Sequence, residues 1–490
     1  MHRMRIIAVA GLVGAVVGVV ACQEAQAPRP SVTQLPVTTA SDSAREAYLA
    51  GRNLQERLRA ADARVEFEKA AAADPSFALA QLGLATTAPG NQEFFAAAKK
   101  AEELSVASSD GERRMIEAFM AGVNGEPERQ LALLQSLEAD FPNDQRVQQQ
   151  LATFHFFTRQ EYATAARHLE HAIAIDPGFS PAYNLLGYSR RFLGDFAGAE
   201  DAFRKYTELI PDEPNPQDSY AELLMKMGRF DDSIASYRRA LEIDPSFVNA
   251  YVGIANNLMF QGKAEEARAV LGELRGVARN DGQRRLAHIW SAQSYLHEGD
   301  SELALVEIRR GTEIAAASED FGAIAFDLNL EGEVLLAASR LDEAATAFQK
   351  AVAMTLRSGA TAEVKEAAQR NALYDLGRVA VARGDLEQAR ELGQQDRQQV
   401  EVAQIPLELW QRSELDGLIL AAGGDWPGAA AALEQANQQD PRVLFALSRT
   451  LAGGGDAEAA DAACRRVLEF CQLNLNYGLV RPAALAMCGI

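Results

Sequence analysis

The side chains that most often carry chemistry are sparse in this chain and combine in few ways. Six histidines are spread over 490 residues. None stands in the His-Glu-x-x-His spacing that puts two imidazoles and a base on one helical face. There is no Gly-x-Ser-x-Gly elbow to expose a nucleophile. There is no phosphate-cradling loop either, because Gly262-Lys263 is followed by Ala264 where a hydroxyl is required. Gly453-Gly454-Gly455 is glycine-rich but reads as a turn between two helices. His168 and His171, at i and i+3 around Glu170, could share a metal from one helical face. The helical pattern leaves both at exposed positions, so a solvated surface is the better reading, and no metal, cofactor or catalytic residue is expected. Cys464, Cys471 and Cys488 could form a disulfide in an oxidising compartment. The first two are seven residues apart, about 10 Å along one helix, too far to bridge if that helix is continuous. Cys488 could fold back onto either, or all three could be small buried apolar groups.

Composition narrows the classes further. Hydrophobic residues make up 48% and charged residues 24%, which is globular rather than disordered. A chain this long holds several domains or one repeat array. The net charge of −20 excludes the basic face that phosphate backbones need, so nucleic acid is not an expected partner. At the N-terminus Arg3 and Arg5 precede an uncharged apolar run over 6–21, shorter than the ~20 residues of a membrane span. The run ends Val19-Val20-Ala21-Cys22, which resembles the lipobox of bacterial lipoproteins. The resemblance implies a signal peptide over 1–21, an acylated Cys22, and attachment to a bacterial envelope by that lipid alone. Gln23 in place of Asp points to the outer membrane. Pro28, Pro30 and Pro36 then make 22–42 a semi-extended linker, about 60 Å long if fully polyproline-like.

The elements behind this linker are set by an internal repeat. Pro177, Pro211 and Pro245 recur at 34 residues, and so do Gly194, Gly228 and Gly262. Ala165, Ala199, Ser233 and Ala267 keep the same register, as do Leu169, Phe203, Tyr237 and Leu271. Each period reads as a helix, a tight turn at the Gly, and a second helix that stops at the Pro, which disfavours helix in the residue before it. One such hairpin cannot bury its apolar stripe alone, so neighbours must stack. Residues 180–213 carry Tyr183, Leu186, Gly187, Ala199, Phe203 and Pro211 where the tetratricopeptide repeat has W, L, G, A, F and P. Residues 214–247 carry Tyr220, Ala221, Ser233, Tyr237, Ala240 and Pro245. The chain therefore resembles that family, which implies an all-α right-handed superhelical solenoid. The expected organisation is irregular repeats over 43–145, a regular array over 146–281 and degenerate repeats over 282–475. Helix A of each unit should line a concave groove, through Phe154, Phe157, Asn184, Tyr188, Arg191, Phe192, Glu222, Met225, Lys226, Asn256, Met259 and Phe260. A carboxylate clamp is not expected, since Gln150 and Phe154 stand where its Lys and Asn would be.

The resemblance implies a non-catalytic scaffold that binds a peptide or protein partner in the groove. The alternative is an assembly factor of an envelope machine for secretion, pilus or outer-membrane assembly. A groove rich in exposed aromatics favours the first, and an apolar convex patch or terminus favours the second. The end of the chain, 476–490, is unusually apolar and carries only Arg481 as a charge. It is expected to fold back over the last hairpin, since a solenoid's last apolar face must be covered.

Overall fold

A computed structural model describes residues 34–488. Every element among these residues is helical. Five of the inter-helix turns share one dipeptide, Gly-Asp, at 194–195, 299–300, 384–385, 424–425 and 455–456. In each the Gly takes a positive φ, between 79° and 87°, that reverses the chain without a Cβ clash. The Asp carboxylate then accepts a hydrogen bond from a backbone N–H in the first turn of the next helix. Gly453-Gly454-Gly455 is one of these turns. Gln160 occupies the same register and adopts φ 53° without a glycine, directly after a π-helical turn over Phe154–Thr158. The regular array expected from residue 146 is therefore locally underwound and widened at its start.

The helices pair into twelve hairpins. The first four are α1 (Asp42–Glu56) with α2 (Ala60–Ala73), α3 (Ala78–Thr86) with α4 (Asn91–Ser105), α5 (Asp110–Val123) with α6 (Pro127–Asp140), and α7 (Gln145–Thr153) with α8 (Tyr162–Ile175). The second of these covers 78–110, which was expected to be irregular and is an ordinary hairpin. Next come α9 (Ser180–Phe192) with α10 (Phe196–Leu209), α11 (Asn215–Lys226) with α12 (Phe230–Ile243), and α13 (Val248–Phe260) with α14 (Ala264–Val277). The downstream hairpins are α15 (Asp281–His297) with α16 (Ser301–Ala317), α17 (Phe321–Ala337) with α18 (Leu341–Arg357), and α19 (Ala362–Arg383) with α20 (Leu386–Ala403). The last two are α21 (Pro406–Ala422) with α22 (Trp426–Glu434) and α23 (Pro441–Gly453) with α24 (Ala457–Leu468), before a single helix α25 (Tyr477–Cys488). From α15 to α20 the helices lengthen to between 17 and 22 residues, which is why the 34-residue period fades there.

Packing explains the recurring Gly and aromatic positions together. A Cβ on Gly187 of α9 would lie 2.5 Å from the Phe203 ring on α10, and Phe67 and Phe348 crowd Gly83 and Gly332 in the same way. Each of these rings is at most 1% exposed. Burying one contributes about 1.5–3 kcal/mol, which needs the helices close enough that only hydrogen fits between. Along most of the array the odd-numbered helices of successive units touch one another, placing them on the inner face. In the downstream half a buried ionic network ties three of them. Glu333 on α17 takes Nη1 and Nη2 of Arg378 (α19) at 2.6 and 2.8 Å, and Arg442 (α23) makes an ion contact at 2.7 Å.

Residues 34–41 are not a free linker. The backbone N–H of Leu35 donates to Asp144 at 2.8 Å and that of Thr38 to Glu112 at 2.6 Å, while the Thr39 hydroxyl donates to Asp74. This strap crosses the edges of the first hairpins, with Leu35 packed against the cluster that holds Phe141. The array also closes on itself. Arg57 at the end of α1 pairs with Glu213 at 3.0 Å, the turn at Gly125 abuts Ile405, and α25 packs on α15 and α17 as well as on α23 and α24.

Candidate functional site

The twelve residues expected to line the groove divide by burial. Phe154, Met225, Asn256 and Met259 are at most 2% exposed and belong to the core. Their place on helix A is as expected, but neighbouring A helices approach closely enough to cover them. Asn256 spends its amide on the carbonyl of Val252. Phe157 is 66% exposed, because the π-helical turn rotates it outward. Asn184 accepts from the Ser219 hydroxyl at 2.9 Å and so is committed internally.

Arg191, expected to line the groove, is engaged within the protein. Its guanidinium lies 3.4 Å from Glu222 and over the rings of Tyr188 and Phe192 at 5.1 and 5.0 Å. Burial pushes the carboxyls of Glu222 and neighbouring Asp218 upward, Asp218 well above the ordinary carboxylate range. Asp218 has one carboxylate oxygen without a hydrogen-bond partner. These groups form an internal polar seam between α9 and α11 rather than a recognition surface.

Arg191, Phe192 and Lys226 nevertheless share one opening. They line a cleft of about 580 Å³ between the ends of α9 and α11 and the C-terminal hairpin. Its opposite wall is Gln438, Gln439, Leu444, Arg466 and Phe470. Lys226 stands 5.4 Å over the Phe470 ring, and burial lowers the affinity of its amine for a proton. Arg466 reaches only the Gln438 amide oxygen, at 3.3 Å. The cleft thus combines aromatic walls, side-chain amides and two cations held in no salt bridge, with the Glu469 carboxylate on its lining. Its far wall lies some 240 residues downstream, so the repeat register carried no signal for it.

Phe260 looks inward but is covered by the chain's own end. Its ring lies 5.6 Å from Tyr477 and 5.8 Å from His297. Cys488 is bonded to Cys464, with their Cα atoms 6.1 Å apart, and Cys471 is free. The end of the chain folds back as expected, but it covers the inner face of α15 as well as the last hairpin. Burial, with the nearby Arg481 charge, drives the His297 imidazole down to about 3, so it is neutral near neutrality.

His168 was expected to be exposed and is instead half-buried. It bonds Gln148 at 2.8 Å and stacks on His155 at 5.5 Å, while His155 pairs with Glu161 at 2.8 Å. His171 points to solvent. Among the described residues no three potential ligands converge on one metal position. No described helix is long and apolar enough to cross a membrane. Cys22 and the 1–21 segment lie outside the described residues.

Against known proteins, patterns of the tetratricopeptide repeat match residues 180–213, 224–287 and 329–398. Anaphase-promoting complex subunit 3 of Schizosaccharomyces pombe is 26% identical over 160 residues, which is 33% of this chain and 24% of that protein. This chain therefore matches only about a quarter of that relative's length. A solved tetratricopeptide repeat protein from Parabacteroides merdae aligns with 55% of this chain and 98% of its own at 16% identity, with a TM-score of 0.37. YrrB, described as a TPR protein with an unusual peptide-binding site, aligns with 37% of this chain and 91% of its own at 17% identity and a TM-score of 0.26. Three separate stretches match the repeat, and the same helical hairpin continues between and beyond them, so the chain carries tetratricopeptide repeats within a longer helical array.

Proposed function

We propose that the protein is a non-catalytic scaffold, held at a bacterial membrane by a lipid on Cys22, that binds a peptide or protein partner in the cleft between Phe192 and Phe470. The observation that carries this reading is the cleft's chemistry. Phe192, Phe196 and Phe470 offer apolar walls, Gln439 offers a side-chain amide to an extended backbone, and Lys226 and Arg466 offer positive charge held in no salt bridge, beside Glu469. Apolar anchors framed by a few directed polar groups are what peptide sites use. On a chain of net charge −20 a local pair of cations selects a partner with an acidic residue beside an apolar one. The tether is shorter than the sequence suggests. With 34–41 docked, eleven residues separate Cys22 from Gln34, a reach of at most about 40 Å.

Capture from solubilised envelope, with the full chain as bait, tests the reading. Lys226→Glu/Arg466→Glu and Phe192→Ala/Phe470→Ala should each deplete the captured partner at least tenfold. Undiminished capture by both variants would sink it. The alternative assembly role draws on a different observation. Val402 is 85% and Leu407 52% exposed, beside a second cleft of about 590 Å³ between the 123–126 turn and α19–α20. Exposed apolar side chains of that kind mark association surfaces. A Val402→Asp/Leu407→Asp variant that loses a defined assembly while retaining capture would favour that role.

A further inference from the structure

The helix α25 has the features of a ligand seated in its own chain. It is a single helix after the last described hairpin, and it packs on the inner face of α15, some 180 residues upstream. The contact has a specific pattern. Tyr477, 2% exposed, fills a pocket between Phe260, His297 and Phe470. Gly478 sits where a Cβ would lie 2.8 Å from the Gln293 amide and 2.9 Å from Leu296 Cβ, so only hydrogen fits. Arg481 reaches the carbonyl of His297 at 3.5 Å, the C-terminal end of α15, where the helix dipole favours a cation. Gln293 donates to the carbonyl of Asn474 at 3.2 Å and so anchors the approaching backbone.

One group in the contact is left over. His297 is 7% exposed, and its Nδ1 has no hydrogen-bond partner. An unmet buried polar atom is a standing cost to the folded state. A permanent cap has no use for that cost, whereas a competing helix that offers a hydroxyl or amide there would recover it.

We propose that the inner face of α13, α15 and α17 is a helix-binding groove whose resident occupant is α25, and that its partner is an amphipathic helix carrying the same aromatic-Gly-x-x-Arg pattern. The Cys464–Cys488 bond favours the resident helix by holding it next to the groove at high effective concentration. The groove shares the Phe470 ring with the Phe192–Phe470 cleft, but its test leaves Phe470 untouched and stands or falls apart from that reading.

The test uses the full chain in two forms, oxidised wild type and Cys464→Ser/Cys488→Ser, with a fluorescein-labelled peptide of residues 474–487 as probe. Fluorescence anisotropy should show saturable binding to the unlatched variant and at least tenfold weaker binding to the oxidised chain. The same peptide with Gly478→Leu should lose binding to both. Hydrogen exchange over α9–α14 checks that the unlatched chain is folded, and dithiol-reduced wild type replaces it if it is not. Absence of binding to a folded, unlatched chain overturns the proposal, as does equal binding of the native and Gly478→Leu peptides. Dimerisation of the unlatched chain by exchange of α25, with no peptide uptake, assigns the groove to a second copy and likewise overturns it.

Discussion

Gly187→Ala sets two effects of opposite sign against each other in a single methyl group. In an exposed helix, replacing Gly by Ala gains about 1 kcal/mol of backbone preference. At residue 187 the new Cβ would stand 2.5 Å from the Phe203 ring, and ordinary carbon contacts lie at about 3.5–4.0 Å. The ring must therefore retreat by about 1 Å. It has no room to do so, being fully buried in a cluster with Ala199 and Leu223 and with the Tyr188 ring at 5.2 Å. Overpacking of this kind costs about 1–3 kcal/mol, and more where nothing yields. The crowding should win by about 1–2 kcal/mol. Repeat arrays open locally, so the readout is hydrogen exchange of the α9 and α10 amides rather than one melting curve. Gly272→Ala is the control, because its new Cβ would meet only the Arg275 guanidinium at 3.5 Å. That variant should be stabilised. Adding Phe203→Leu to Gly187→Ala should recover part of the loss, making the pair less damaging than the sum of its members. If Gly187→Ala is stabilised as much as Gly272→Ala, close packing between the two helices is not what the glycine serves.

Four further outcomes are expected. Glu333→Gln leaves two buried guanidiniums without their shared carboxylate and should cost about 3–5 kcal/mol, seen as early opening of α17, α19 and α23 in denaturant. Asp396 is pushed up to about 7, first by burial and then by Asp416 and Glu408. Its folded form thus holds a proton that the unfolded chain releases near pH 4, so its contribution to stability is greatest in acid and is lost as pH rises through 7. Asp396→Asn should melt higher than wild type at pH 8, and the difference should vanish below about pH 4. Reducing the Cys464–Cys488 bond, which closes a loop of 24 residues, should destabilise the C-terminal hairpin by about 3 kcal/mol while leaving exchange in α9–α12 unchanged. Mass spectrometry of the membrane fraction should find a mature chain that starts at an acylated Cys22, and Cys22→Ala should release the protein to the soluble fraction; a variant still processed and membrane-bound would refute the anchor.

The hairpin array was legible because its signals are local. A turn glycine such as Gly194, a Pro after helix B, and Gly187 opposite Phe203 all act within one unit, so a 34-residue ruler finds them. The ruler failed where units lengthen, from α15 onward, since longer helices keep the packing but shift the count. It also failed at Phe154 and Met259, because the place of a residue on helix A fixes its face but not how closely the next A helix approaches. The cleft was half legible. Arg191, Phe192 and Lys226 belong to it, but Gln438, Arg466 and Phe470 come from a part of the chain that no repeat register relates to them. The docking of 34–41 was hidden for a similar reason, as it rests on two backbone hydrogen bonds and one hydroxyl hydrogen bond to three carboxylates that look like ordinary surface acids.

A repeat array open at both ends behaves as a one-dimensional chain of units, in which melting starts at the termini and works inward. Here the terminal units are not free ends. The first is strapped by 34–41 and paired through Arg57 to Glu213, and the last is held through α25 against α15 and α17. Such an array is nearer to a loop than to a line. Fraying at the C-terminus must break contacts with the middle, and a disturbance in the middle reaches the C-terminus without crossing the hairpins between. Unfolding should therefore be more cooperative than the number of hairpins suggests. A partner that grips α15 would be felt at once at the end of the chain.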